Sequence, residues 1–165
     1  MLYYQMNKDA IKTFSYRISQ ANKTELIVVM YDMALEYLQD AKSARTASEQ
    51  EPYTENIKLA KRVIDRLLCD LNMQYEISAE LFNIYMTMQR FLVKASCTMS
   101  KDNDKYIDSV LKMIQTLRKS WYEVSLTDHS ETLMKNTQQV YAGLTYSSAG
   151  SSNEISQDYN INRGF

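Results

Sequence analysis

The sequence predicts an all-α protein, an antiparallel up-down four-helix bundle with a short N-terminal helix and an additional short C-terminal helix. Apolar residues recur at helical spacing in four stretches of about 18 to 23 residues, which short polar segments join. The 165 residues include only three glycines and one proline, whereas a sheet-rich fold needs many special turns. Both observations favour helices throughout the folded part.

The chain is expected to divide into four parts, with the bundle as the largest. They are residues 1–21, an N-terminal segment with a short helix; residues 22–125, the bundle; residues 126–145, an extra helix that starts at about 130; and residues 146–165, a polar tail expected to be disordered. The N-terminal segment is apolar enough to act as a lid over another part of the surface.

Capping and turn residues predict where the bundle helices begin and end. Asn22 is the expected N-cap of the first helix, with Glu25 as its capping-box partner. Pro52 and its polar neighbours predict a loop over residues 46–54. Ser78 is the expected N-cap of the third helix. The bundle helices are therefore expected over about 23–45, 55–72, 79–99 and 105–124.

Charge and hydropathy argue against several classes of function. The 19 Lys and Arg nearly balance the 20 Asp and Glu, and no basic block is present, so we expect no nucleic-acid binding. The longest apolar run, residues 26–31, is far too short to cross a membrane, so no membrane insertion is expected. No signal-peptide pattern is visible, and Cys69 and Cys97 lie among apolar neighbours. We therefore expect reduced core cysteines in a cytoplasmic protein.

The first bundle helix carries apolar residues on two faces, which is more than a bundle needs. At about 100° per residue, one stripe holds Leu26, Met30, Met33, Tyr37, Ala41 and Ala44. We interpret this stripe as the core face. A second arc holds Ile27, Val28, Tyr31, Leu35 and Leu38, and a flank of the third helix holds Phe82, Met86 and Val93. We predict that the second arc and this flank form a partner-binding surface for an amphipathic helix.

Two explanations compete for this surplus apolar surface. Either the chain covers it, with the N-terminal segment or the helix after residue 130, or a partner's helix lies in it. Both hold if the N-terminal segment is a lid that a partner displaces. The alternative function is a scaffolding bundle that homodimerises through its second apolar face.

Residues that could carry catalysis are scarce. His129 is the only histidine, which rules out a bundle metal site built from two Glu-x-x-His pairs. No Gly-rich phosphate loop or catalytic Cys/His/Asp constellation is visible. We therefore expect no enzyme, no metal and no cofactor. A phosphorelay bundle, a third alternative, needs its histidine on an exposed helix face, whereas His129 is predicted to lie in a loop.

Two residues near the end of the fourth helix need an explanation. Trp121 is predicted on the inward face, which favours a core role over a binding hot spot. Arg118 lies on the apolar arc and needs a carboxylate or a helix-end carbonyl as its partner, which the sequence does not identify. Asp32 and Glu36 lie on the polar arc of the first helix and are interpreted as solubility charges.

Four segments, taken in order, carry a family resemblance over about residues 22–124. They are TELIVVMYDMAL (24–35), the apolar spacing of Ala60, Ile64, Leu67 and Leu71, EISAELFNIYMTMQRFLVKAS (76–96) and LRKSW (117–121). Together they resemble the flagellar export chaperones of the FliS family, which hold flagellin in the bacterial cytoplasm. In that family's Tyr-Asp-Gly-Ala-Leu motif, Met33 here stands in place of the glycine.

The resemblance implies a four-helix bundle that binds the C-terminal segment of flagellin. That segment is disordered in the free subunit and helical in the filament. Covering it would prevent premature polymerisation and keep the subunit competent for type III secretion through the flagellar export apparatus. The motif residues Tyr85, Arg118 and Trp121 suit a role in building the bundle as well as they suit contact with the client.

Overall fold

The computed structural model describes residues 3–134, with side chains from residue 9 onward. These residues form five α-helices: α1 Tyr3–Gln20, α2 Lys23–Thr46, α3 Gln50–Cys69, α4 Glu76–Cys97 and α5 Asp104–Ser125. A short 3-10 helix, Lys101–Asn103, leads into α5. The chain divides into a unit that ends at Leu133 and a second unit that lies almost entirely outside the described residues.

The four most extensive helix–helix contacts close a ring. α2 packs against α3 and α5, and α4 packs against the same two helices, so α2 and α4 face each other diagonally. Short connections join successive helices, which makes neighbours antiparallel. The predicted all-α four-helix bundle is confirmed. α1 packs on α2, outside this ring.

Three tyrosines are the largest fully buried side chains of the core, and each hydroxyl has a partner. The hydroxyls of Tyr31 on α2 and Tyr85 on α4 hydrogen-bond to each other across the diagonal. The hydroxyl of Tyr53 donates to the carbonyl of Ala95 at 2.7 Å. Because a buried hydroxyl without a partner is costly, these bonds favour one arrangement of the helices.

The predicted capping box at the start of α2 is confirmed. The backbone N–H of Glu25 donates to the Asn22 side chain, and the backbone N–H of Asn22 donates to the Glu25 carboxylate, both at 2.9 Å. Ser78, in contrast, is not the N-cap of α4, because Tyr75 holds that position. The buried Ser78 hydroxyl instead donates to the carbonyl of Asn72 at 2.7 Å and so stabilises the α3–α4 connection.

The connection between α2 and α3 is shorter than the predicted loop over residues 46–54. α2 continues to Thr46 and α3 begins at Gln50, so that Pro52 lies in the first turn of a helix. Proline is tolerated there because first-turn N–H groups have no intrahelical acceptor. The tight turn between the helices includes Ser48 in the left-handed region, with a φ of 61°.

Two further predictions need correction. Residues 126–134 are not helical, so the extra helix does not begin at residue 130; the rest of that prediction, and the predicted tail over 146–165, lie outside the described residues. Cys69 and Cys97 are free and exposed, so the prediction that they fill the core is wrong. Both lie at the last residue of a helix, beyond the stretch that faces inward.

Candidate partner-binding surfaces

Most of the α2 arc predicted to bind a partner faces the core instead. Tyr31 and Leu38 are fully buried, so their assignment to a partner surface is wrong, and Ile27 packs half-buried against the same core. α2 packs against both α3 and α5, so the side of α2 that faces the core points between these two helices. This side lies about 100° around the helix from the stripe that was predicted as the core face.

The stripe predicted as the core face of α2 lies mostly at the edge of the bundle. Leu26, Met30, Met33 and Tyr37 are half-buried, although Ala41 and Ala44 at its far end are buried. Met33 and Tyr37 line a cleft of about 140 Å³ that opens between α1 and α2. The buried side of α2 is therefore centred on the second arc, and the predicted core stripe packs along its edge.

α1 covers the remaining two residues of the predicted α2 surface. Val28, only 5% exposed, lies in a cleft that it shares with Arg17 of α1 and Tyr122 of α5. Leu35 lies about two turns further along α2 and lines a cleft together with Phe14 of α1. Since later residues of α1 meet earlier residues of α2, α1 runs antiparallel to α2 and lies along its outer side.

An ion-pair cluster ties α1 to the bundle. Arg17 of α1 donates from Nη2 to Oδ2 of Asp32 at 2.6 Å, and Arg118 of α5 donates from Nε to Oδ1 at 2.6 Å. A longer contact of 3.4 Å joins Nη2 of Arg118 to Oδ2. Asp32 on α2, whose side chain is 16% exposed, thus bridges three helices. It is the carboxylate partner of Arg118 that the sequence alone does not identify.

The surroundings of Asp32 keep its carboxyl ionised. Burial alone would raise its pKa, but hydrogen bonds and charge from Arg118 and Arg17 outweigh this and lower the pKa below its ordinary value. Each guanidinium also lies over an aromatic ring, Arg17 over Phe14 at 5.9 Å and Arg118 over Tyr122 at 5.5 Å. The interpretation of Asp32 as a solubility charge is therefore wrong.

The outer side of α2 beneath α1 is acidic as well as apolar. Glu36 and Asp40 follow Asp32 along this side and line the cleft between α1 and α2. None of the ion pairs among the described side chains involves either of them. Burial, and then the charge of Glu36, raise the pKa of Asp40. Helix α1 supplies the opposite charge overall, with three basic residues and one acidic residue in its sequence.

The turn between α1 and α2 is held by the segment that follows α5. Asn22 donates from Nδ2 to the backbone carbonyl of Asp128 at 3.1 Å, and the Thr24 hydroxyl donates to the Asp128 carboxylate at 2.7 Å. The backbone N–H of Leu133 donates to the carbonyl of Ala21 at 3.0 Å. The C-terminal end of α1 is therefore anchored at a fixed point, from which the rest of the helix extends along α2.

The predicted flank of α4 is an outer surface. Phe82 is 42% exposed, Val93 is 46% exposed and Met86 is half-buried. Gln89, on the same side of α4, donates to the carbonyl of Lys61 at 2.9 Å, which places this flank next to α3. Because α2 and α4 are diagonal, this patch and the surface under α1 are two separate surfaces, whereas the sequence suggests one groove.

Sequence reasoning missed a third apolar surface, in the groove between α4 and α5. Ile84 of α4 and Met113 and Leu117 of α5 line this groove, whose volume is about 410 Å³, and threonine and asparagine side chains form the rest of the lining. Helical periodicity places Ile84 and Leu117 in the core stripes of their helices. They lie at the edges of those stripes, and the apolar periodicity does not distinguish a half-buried residue at the edge of a stripe from a fully buried one at its centre.

The residues of the Tyr-Asp and Leu-Arg-x-x-Trp motifs mostly build the bundle. Burial raises the pKa of Tyr31 far above its ordinary value, and Tyr85 adds to the effect. Trp121 is half-buried and packs against the core, as predicted. With Asp32 and Arg118, these side chains connect α2, α4 and α5.

Chemical sites are not evident in the part of the chain that the structure describes. No group of three or more His, Cys, Asp and Glu side chains is arranged there to hold a metal ion. His129 is exposed and lies outside any helix, which removes the phosphorelay alternative. Of the helices described, none combines the length and hydropathy needed to cross a membrane.

Comparison with known proteins agrees with the fold and with the motifs. No curated protein matches the chain closely enough to count as a relative. The sequence model of one family, described as "Flagellar protein FliS", matches residues 6–128, from within α1 to the segment after α5. The match covers well over half of the 165 residues. The chain therefore belongs to the FliS family of flagellar export chaperones.

Proposed function

We propose that this chain binds the C-terminal segment of flagellin in the cytoplasm and holds it until export. The segment is disordered in the free subunit and forms a helix in the filament, so binding would prevent premature polymerisation. The bound subunit would remain competent for type III secretion through the flagellar export apparatus. The family supports a chaperone role, and the surfaces of this chain support the choice of client.

The observation that carries this proposal is that the chain covers its own apolar track with an amphipathic helix. α1 lies over Val28 and Leu35 of α2 with Phe14 beside Leu35, and it stays outside the four-helix ring. Clefts open between α1 and α2 on both sides of Phe14. A helix so loosely packed can be exchanged for another amphipathic helix, which suits α1 to the role of a displaceable lid.

The second apolar surface suits a client that wraps around the bundle. Phe82, Met86 and Val93 lie on α4, diagonal to the lid site, which is the surface of α2 under α1 that includes Val28, Asp32 and Leu35. Neighbouring helices in a bundle are about 8–10 Å apart, so a path around the outside is of order 30 Å. An extended chain spans this distance in about ten residues. A disordered segment can therefore occupy both surfaces, and the apolar area that it buries offsets its ordering entropy.

The test is calorimetric titration of the purified chain with a peptide of the ~40 C-terminal residues of flagellin from the same cell, a length that covers both surfaces. We expect one-to-one binding with a negative heat-capacity change, because apolar surface is buried. No binding by a folded chain would contradict the proposal. Stable dimers in the absence of the peptide would instead favour the scaffolding alternative.

A pair of matched variants locates the second surface. Phe82→Asp removes an exposed apolar contact worth about 1.5–3 kcal/mol, so affinity should fall roughly 10- to 100-fold while the helical circular dichroism is retained. Asn83→Asp adds the same charge at the next exposed position, which lies about 100° further round α4 at the α4–α5 groove, and should bind like the unaltered chain. Equal affinities for both variants would remove the α4 patch from the proposed client track.

A further inference from the structure

Helix α1 reveals what the surface beneath it accepts. Phe14 enters the apolar part of the lid site beside Leu35, and Arg17, three residues later on the same side of α1, reaches Asp32. The lid therefore combines an apolar side chain with a cation one helical turn away. A client segment that takes the place of α1 meets the same two features of the surface.

Displacement of α1 leaves Asp32 short of a partner. Arg118 keeps its 2.6 Å bond to Oδ1, but Oδ2 then retains only the 3.4 Å contact, since its 2.6 Å bond is to Arg17. A largely buried carboxylate that loses a charged hydrogen bond without replacement is costly. Glu36 and Asp40 add negative charge along the same side of α2. An uncharged or acidic helix would leave all three carboxylates without a new cation.

We propose that Asp32 determines which segments can displace the lid. The client must present a Lys or Arg one helical turn from an apolar side chain, in the positions that Arg17 and Phe14 occupy in the closed chain. Arg118 is a positioning residue, because it fixes the Asp32 carboxylate from the α5 side. This inference rests on the proposed function, in which the flagellin segment replaces α1.

The experiment uses the full chain and the flagellin C-terminal peptide, together with a set of peptides in which each Lys or Arg is replaced in turn by Gln. For the unaltered chain, one replacement should weaken binding by about tenfold or more, as expected for a lost hydrogen bond between charged groups. In Asp32→Asn, the same replacement should have almost no effect. This loss of discrimination is the coupling that a double-mutant cycle measures.

Arg17→Gln is the matched control, because it breaks the same ion pair from the lid side and leaves Asp32 in place. Both variants loosen α1, but only Arg17→Gln should bind the parent peptide more readily, because it keeps Asp32 for the client's cation; in Asp32→Asn the easier opening is offset by the loss of that contact. Only Asp32→Asn should lose the discrimination between the parent peptide and the critical Gln peptide. If Asp32 merely tied α1 down, the two variants would discriminate equally, and the proposal would be wrong.

The other outcomes separate this inference from the proposed function. If the parent peptide binds and no cationic position couples to Asp32, the inference fails and flagellin binding stands. If the parent peptide does not bind the unaltered chain at all, both fail. Should Asp32→Asn not fold, Glu36→Gln in the chain that keeps Asp32 decides: the discrimination must persist, and its loss in Glu36→Gln would assign the client's cation to Glu36 and overturn the proposal.

Discussion

The buried tyrosine pair at the centre of the bundle gives the sharpest test of the structure. Tyr31 is fully buried and Tyr85 is 2% exposed, and each hydroxyl depends on the other. Tyr31→Phe leaves the Tyr85 hydroxyl buried without its hydrogen-bond partner. The expected loss is about 1–3 kcal/mol of unfolding free energy, and Tyr85→Phe should cost a similar amount.

The double variant Tyr31→Phe with Tyr85→Phe decides whether the pair acts as a unit. With both hydroxyls gone, no orphaned group remains between the rings, so its cost should fall below the sum of the single costs by about 1–2 kcal/mol. Urea unfolding followed by circular dichroism measures this, since 2 kcal/mol shifts the midpoint by roughly 1 M. Additive costs, or single costs below about 0.5 kcal/mol, would refute the reasoning.

The same variant separates the two roles that the sequence allows for Tyr31. A core residue changes stability and leaves the outer surface as it was, so folded Tyr31→Phe should bind the flagellin peptide within about twofold of the unaltered chain. If Tyr31→Phe is fully folded and still loses as much affinity for the peptide as is expected of Phe82→Asp, Tyr31 contacts the client and the core assignment is wrong.

Two further outcomes are expected. Leu38→Ala empties a fully buried site and should cost about 2–5 kcal/mol in urea unfolding, whereas Leu35→Ala, half-buried at the edge of the lid, should cost clearly less; equal costs would contradict the placement of Leu38 in the core and of Leu35 at its edge. The pKa of Asp32 is lowered in the folded chain, so its ion pairs contribute stability above the unfolded pKa of about 3.9, and this contribution is lost as the pH falls through the folded value. The protection of α1 amides, measured as hydrogen exchange relative to the intrinsic rate at each pH, should therefore fall on acidification in the unaltered chain and show no such step in Asp32→Asn; an identical step in both would contradict this role of Asp32.

Helix type and the capping box of α2 could be predicted because they depend on neighbours in the sequence. The capping box joins Asn22 and Glu25 within one turn, and the apolar periodicity extends over a single helix at a time. Pro52 was harder to place, because a proline predicts a break equally well whether it stands in a loop or in the first turn of a helix. The exposed flank of Phe82 and Val93 was also visible, since it lies clear of the core stripe of α4.

The sequence by itself determined that α2 has two apolar faces, but only the tertiary structure decided which one is buried. Periodicity measures the angles between side chains, whereas the inward direction depends on where α3 and α5 lie around α2. Likewise, Arg118 visibly needed an anion, but Asp32 is 86 positions away and also receives Arg17 from a helix outside the ring. Such contacts depend on the packing of whole helices, which no local pattern encodes.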